Sequence, residues 1–204
     1  MSGILFVVSA PSGAGKTSLV KALLQSVTDL TVSVSHTTRP KRPSEEEGKH
    51  YYFVSETDYE TLKDRAAFVE GAKVFGHWYA TSKKSIEGPL KQGQDVILDI
   101  DWQGAAQVKK QFGSHCVNIF LLPPSQAILR DRLEKRAQDH IDVIESRMEQ
   151  ARDEMQHYKD YDYLIINDDF DHALADLQHI VYAERLKLEQ QEEKHADLIT
   201  QLLA

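Results

Sequence analysis

The chain has 204 residues, 41% apolar and 27% charged, enough to fill one well-packed core and short for two independent domains. Its 24 basic and 32 acidic residues give a formal charge of −8, which excludes a global field attracting nucleic acid or an anionic membrane; an anionic ligand must be met by a local basic cluster. The single cysteine, Cys116, excludes an intrachain disulfide, fits a reducing cytoplasm and reads as an inert core thiol.

The first element is the apolar run Ile4-Leu5-Phe6-Val7-Val8. It lacks a basic leader and is too short for a signal peptide, and no later stretch approaches the roughly 20 apolar residues of a membrane span. A protein of the cytoplasm is expected. The run leads into SAPSGAGKTS, residues 9–18, after which Leu19, Val20, Leu23, Leu24 and Val27 recur at helical spacing. A phosphate loop needs glycines for close backbone approach, a Lys for the β and γ phosphates, a Ser or Thr for magnesium, and a helix N-terminus aimed at the charge. Gly13, Gly15, Lys16 and Thr17 supply these, although Ala10 stands where the strict pattern has its first glycine. The competing reading is a glycine-rich turn with a chance GKT. The loop signals a nucleoside triphosphate without naming the reaction.

Residues 33–55, SVSHTTRPKRPSEEEGKHYYFVS, gather Arg39, Lys41, Arg42 and Lys49 with the hydroxyls of Ser35, Tyr51 and Tyr52, as an anion site or a charged surface loop would. They open a mixed segment, 36–93, that breaks the strand–helix rhythm. A buried strand is expected from Val96 to Ile100, bringing Asp99 and Asp101 to one side of its carboxyl end, where α/β folds bind ligands; a solvated acidic turn is the alternative. Val117 to Leu122 and Tyr163 to Ile166 read as further buried strands. Between them, residues 126–156 form an arginine-rich helical pair: Arg132 and Arg136 lie one turn apart, and Arg147 adjoins the stripe Ile141, Ile144, Met148, Ala151, Met155. Leu174, Leu177, Val181 and Leu188 mark a long C-terminal helix over about 170–204, whose charged end is solvated or packs against a second copy. Strands alternating with helices predict an α/β fold with a parallel sheet covered on both faces.

The stretches SVSHTTRPKRPSEEEGKHYYFV, LDIDWQG at 98–104 and YDYLIINDDFD at 161–171 make the chain resemble guanylate kinase nearly end to end. The resemblance implies one P-loop NTPase-type domain over 1–204: a core of 1–35, 94–125 and 157–190, a GMP-binding insertion at about 36–93, and a helical lid at about 126–156. It implies phosphoryl transfer from ATP to GMP, and to dGMP, with magnesium as cofactor. ATP would lie on Ala10, Pro11, Ser12, Gly13, Ala14, Gly15, Lys16, Thr17 and Asn167, and magnesium on Thr17 and Asp99. The GMP phosphate would be held by Ser35, Arg39, Arg42, Tyr51 and Tyr79, and guanine read by Glu70 and Thr81 with help from Asp101. Lys16, Arg39, Arg132, Arg136 and Arg147 would carry catalysis. The alternatives are a non-catalytic binding module of the same family and a kinase for another phosphorylated acceptor. Three departures stand out: Lys135 and Ala137 replace glycines that flank the second lid arginine, and Ala80 replaces the glycine after the pocket tyrosine, so a stiffer lid is expected.

Overall fold

The computed structural model describes residues 3–74, 76–136 and 141–204, without the side chains of residues 136 and 141–143. In chain order its elements are β1 (Leu5–Ser9), α1 (Lys16–Ser26), β2 (Leu30–Val32), β3 (His36–Thr37), β4 (Tyr52–Phe53), α2 (Glu56–Asp64), β5 (Phe68–Val74), β6 (His77–Ser82) and α3 (Lys83–Lys91). There follow β7 (Asp95–Asp99), α4 (Trp102–Phe112), β8 (Cys116–Leu122), α5 (Gln126–Arg136), α6 (Ile141–Gln156), β9 (Tyr163–Ile166), α7 (Phe170–Arg185), α8 (Leu188–Lys194) and α9 (Ala196–Leu203).

Five strands form a parallel sheet in the order β2-β7-β1-β8-β9. Side chains alternate across a strand, so β1 feeds two cores at once. Phe6 and Val8 pack with Leu19 and Leu23 of α1 and Leu177 and Val181 of α7, while Leu5 and Val7 pack with Ile86 and Leu90 of α3 and Val108 of α4. Cover on both faces is why the strand reads as an unbroken apolar run. Successive strands leave β1 on opposite sides, making its carboxyl end the switch point where such sheets bind ligands.

The second sheet, β4-β3-β6-β5, pairs β6 antiparallel with both β3 and β5. It has a small aromatic core of its own, in which Tyr59 stacks on Phe68 and Trp78 at 5.3 and 5.2 Å between ring centroids. The segment expected to be inserted does not stay apart throughout, because α3 returns to the main core through Ile86 and Leu90. The helical pair α5 and α6 closes on Leu129, Leu133, Ile144, Met148 and Ala151. The helix expected over about 170–204 is instead three helices, broken at Leu186–Lys187 and at His195, with Leu198, Leu202 and Leu203 exposed. Cys116 is buried at the start of β8, its thiol against the Gly113 carbonyl at 3.4 Å, and burial raises its pKa. No helix among the described residues is long and apolar enough to cross a membrane.

The end of the sheet opposite the carboxyl ends is tied by one carboxylate. Asp95, 5% exposed, accepts the Ile4 N–H and the Arg185 Nε–H, each at 2.7 Å, and Arg185 also reaches the Thr28 carbonyl at 2.8 Å. Removing Asp95 leaves the Ile4 amide unpaired and takes the carboxylate from Arg185, which keeps only backbone carbonyls. Asp95→Ala should lower the unfolding free energy by about 3 kcal/mol in urea titrations, with Asp95→Asn losing less. A loss well under about 1 kcal/mol for the alanine variant would show that this tie is incidental.

Candidate active site

The turn between β1 and α1 is built for close backbone approach. Gly13 and Gly15 have φ of 89° and 95°, a region that side chains rarely tolerate. A Cβ on Gly13 would stand 3.0 Å from Leu129 and 3.1 Å from Leu133, so α5 rests directly on the loop; one on Gly15 would stand 2.5 Å from the Asn167 amide. Whereas Ser55, Ser82, Asp101 and Asp169 cap α2, α3, α4 and α7, no side chain caps α1. Its N-terminus keeps its partial positive charge and its N–H groups for an anion.

Around the loop, Lys16 Nζ lies 2.6 Å from Asp99 Oδ1 and donates to the Ile100 carbonyl at 2.8 Å. Asn167, 4% exposed, donates from its amide to the Ala14 carbonyl at 2.6 Å, bracing the loop from β9. Arg132 reaches the Ala14 and Asn167 carbonyls at 3.5 and 3.3 Å. Arg147 lies half-buried on α6. The side chain of Arg136 lies outside the described residues, as does Ala137, on which part of the expectation of a stiffer lid rests. Thr17 sits exposed in the first turn of α1.

Asp101 stays at the carboxyl end of the sheet, close enough to Glu70 for its charge to be felt, but not as a strand residue. β7 ends at Asp99, and Asp101 is the N-cap of α4, its Oδ1 accepting from the Gly104 N–H at 2.9 Å.

The second sheet holds the other cluster. Arg39 is held by three acceptors: the Tyr79 hydroxyl at 3.2 Å, the Pro40 carbonyl at 2.8 Å and Glu45 Oε1 at 2.7 Å. Glu45 also accepts the Arg42 backbone N–H at 2.8 Å, and its bond to Arg39 holds its carboxyl below the usual range. The Arg42 side chain is exposed. The Tyr51 ring meets that of Tyr79 edge-on at 5.7 Å, and burial, aided by Asp99, pushes its phenol up to about 12, so it stays neutral.

Glu70 and Thr81, directly paired across β5 and β6, are 4% and 0% exposed. Thr81 Oγ1 donates to Glu70 Oε1 at 2.5 Å, and Ser35, expected at the GMP phosphate, stands beside this pair with its Oγ 3.3 Å from Thr81 Oγ1. With the single Thr81 proton committed to Glu70, what the trio presents is acceptors. Glu70 Oε2 lies 2.6 Å from where a Cβ on Gly104 would stand, so the carboxylate sits against the first turn of α4. Burial, only partly offset by the Thr81 hydrogen bond, pushes Glu70 up to about 7; nearby Asp101 adds to the rise and Lys16 opposes it. Burial prevails here over the favourable helix end.

No group of three or more His, Cys, Asp or Glu that could hold a metal occurs among the described residues. Asp99 and Thr17 nonetheless offer hard oxygens beside the loop, the donor set that suits magnesium shared with phosphate oxygens and water.

Three contributors escape sequence reasoning: Glu45, Glu154 and Gln107. Gln107 exchanges amide hydrogen bonds with Gly71 at 3.2 and 3.0 Å, tying β5 to α4 beside Glu70. Glu154 of α6 accepts the Ser12 N–H at 3.2 Å. Glu45 sits among glutamates, Gln107 and Glu154 act on residues far along the chain, and the one available signal is that Glu154 shares a helix face with Arg147 and Ala151.

The guanylate kinase family model matches residues 2–184. The chain is 53% identical to the guanylate kinase of Escherichia coli (strain K12) over 204 residues, covering 99% of this chain and 98% of that one. It is also 53% identical to that of Alkalilimnicola ehrlichii over 203 residues, covering all of both chains. Among solved structures, guanylate kinase from Anaplasma phagocytophilum superposes with a TM-score of 0.76 at 32% identity, covering 94% of each chain.

The buried carboxylate yields a direct test. A raised pKa means that ionised Glu70 weighs against folding; the burden is full above pH 7 and falls away as the pH drops towards 4.5. In 13C NMR the Glu70 carboxyl should titrate near pH 7, and Thr81→Val should move it higher. Glu70→Gln should stabilise the fold most at pH 8 and least at pH 4. A midpoint near 4.5 would mean that water reaches the carboxylate freely.

Proposed function

We propose, from the premise that the chain belongs to the guanylate kinase family, that it transfers the γ-phosphoryl group of ATP to the phosphate of GMP, giving ADP and GDP. The observation that carries this reading is the buried Glu70–Thr81–Ser35 array standing near a phosphate loop that retains Lys16. Guanine presents N1–H and N2–H₂ donors on one edge, and the array offers acceptors. Adenine carries a lone pair at N1, which would face the Glu70 lone pairs across a buried contact, a mismatch worth about 10⁴ in discrimination. A sugar phosphate acceptor would have no use for such a reader, and a non-catalytic module no use for the lysine. None of the assigned residues reads the ribose 2′-hydroxyl, so dGMP is accepted as well.

The acceptor oxygen is already anionic, so the reaction needs alignment and charge cancellation rather than a strong base. Arg39 and Arg42, with the neutral hydroxyls of Tyr51 and Tyr79, hold the GMP phosphate. Ala10 to Thr17, braced by Asn167, cradle the ATP phosphates, and Lys16 balances charge between the two nucleotides. Arg132 of the lid already stands over the loop, and the resemblance assigns Arg136 and Arg147 to the same charge-cancelling role. Thr17 and Asp99 are the oxygens that would hold magnesium. Bound there, the ion would supply positive charge to offset that of the donor phosphates. The buried free thiol and the nucleotide substrates support a cytoplasmic enzyme.

Lys16→Ala should keep the fold and lower turnover by about 10²-fold or more, followed as ADP release; a folded variant at full rate would sink the mechanism. Offered GMP, dGMP, AMP, CMP, UMP and ribose phosphates separately, the enzyme should turn over the first two. The KM for GMP should rise as the pH falls below 7 and Glu70 takes up a proton. Glu70→Gln should raise that KM by about 10²-fold and flatten its pH profile.

A further inference from the structure

Glu154 lies 142 residues from Ser12 in sequence, yet its Oε2 accepts the Ser12 N–H at 3.2 Å. The carboxylate does not swing freely. It projects from the stretch of α6 between Ala151, packed in the lid core, and His157, which stacks on Trp102 with 3.6 Å between ring centroids and 8° between planes. Trp102 directly follows the α4 cap Asp101, so the foot of α6 is anchored to the floor of the site. Burial raises the Glu154 carboxyl, as does nearby Asp101, while the Ser12 hydrogen bond and Lys16 oppose the rise. Ser12 is part of the loop whose amides are the natural partners of phosphate oxygens. A protein carboxylate stands on one of them.

We propose that Glu154 is a positioning residue of the lid that competes with the donor phosphates for the Ser12 amide and thereby sets both ATP affinity and the placement of α6. A phosphate oxygen and a carboxylate oxygen cannot share this one donor without like charges in close contact. ATP therefore has to lift Glu154 off the loop. Arg147, Ala151 and Glu154 share one helical face at spacings of four and three, so the helix that loses the carboxylate contact carries Arg147 with it. Part of the donor's binding free energy moves the lid, and the lid arginine responds to occupancy of the loop. This inference rests on reading the loop as the ATP site.

The test measures binding of ATP with magnesium by calorimetry, without GMP, to the unmodified chain, Glu154→Gln, Glu154→Ala and Lys16→Ala, each checked for folding by circular dichroism. Glu154→Gln keeps the shape and removes the charge; Glu154→Ala removes the contact. Both should bind ATP about tenfold tighter, with the KM for ATP falling by a similar factor and the KM for GMP within about twofold of the parent. Unchanged or weaker ATP binding by the folded variants would overturn the proposal, since a carboxylate that merely braces the loop would weaken binding when lost. Lys16→Ala should lose ATP. If it binds ATP as the parent does, the reading of the loop itself falls, whatever the Glu154 variants do.

Discussion

The contact between Lys16 and Asp99, at 2.6 Å, ties together the parts on which the site depends. Lys16 begins the helix after β1 and Asp99 ends β7, the strand beside it, so the pair joins the two chain segments that meet at the switch point of the sheet. The lysine proposed to face polyphosphate is held in place by a carboxylate. The same arrangement recurs nearby, with Arg39 on Glu45 and the bare Ser12 amide on Glu154. In a chain with 32 acidic residues, cationic and donor groups for phosphate are kept pre-oriented by protein anions. Binding then exchanges partners instead of ordering loose side chains, which reduces the entropy that association must offset.

A second constraint comes from burial. Glu70 has one oxygen on Thr81 and the other against the backbone of Gly104, in a place that water does not reach freely. The position is poor for a charge and good for discrimination, because a buried acceptor without its donor is costly. The reciprocal amide bonds of Gln107 with Gly71 fix β5 relative to α4, so the small second sheet cannot slide without disturbing the first turn of that helix. The Glu70–Thr81 pair, the proposed base reader, and the end of the main sheet thus share one frame.

How much of this was legible in the sequence follows from the range of the forces involved. Four of the five strands of the parallel sheet and the helix after the loop were legible because burial writes apolar runs and helical stripes into adjacent residues; β2, three half-buried residues at the sheet edge, writes no such run and was missed. The loop was legible because its glycines and lysine are local requirements. Asp101 was read as the continuation of a strand because a strand and a helix cap look alike across two residues, and only the Gly104 N–H three residues on decides between them. The C-terminal helix was read as continuous because nothing in LKLEQQEEKHADLITQLLA breaks a helical pattern; the breaks at Lys187 and His195 come without Pro or Gly. Gln107 and Glu154 were invisible since each acts through a partner 36 or 142 residues away in the chain; Glu45 acts on Arg39 and Arg42 within its own segment, but among three consecutive glutamates nothing local singles it out.

Cys116 gives the molecule a built-in chemical reporter. It is the sole thiol, it opens β8 beside Leu5 at the end of the sheet remote from the phosphate loop, and burial holds it in the protonated, unreactive form. Thiol reagents therefore cannot modify the chemistry of the site directly. Their access waits on opening at the start of β8 and the turn before it, so the rate of alkylation at this one sulfur clocks the opening of that end of the sheet.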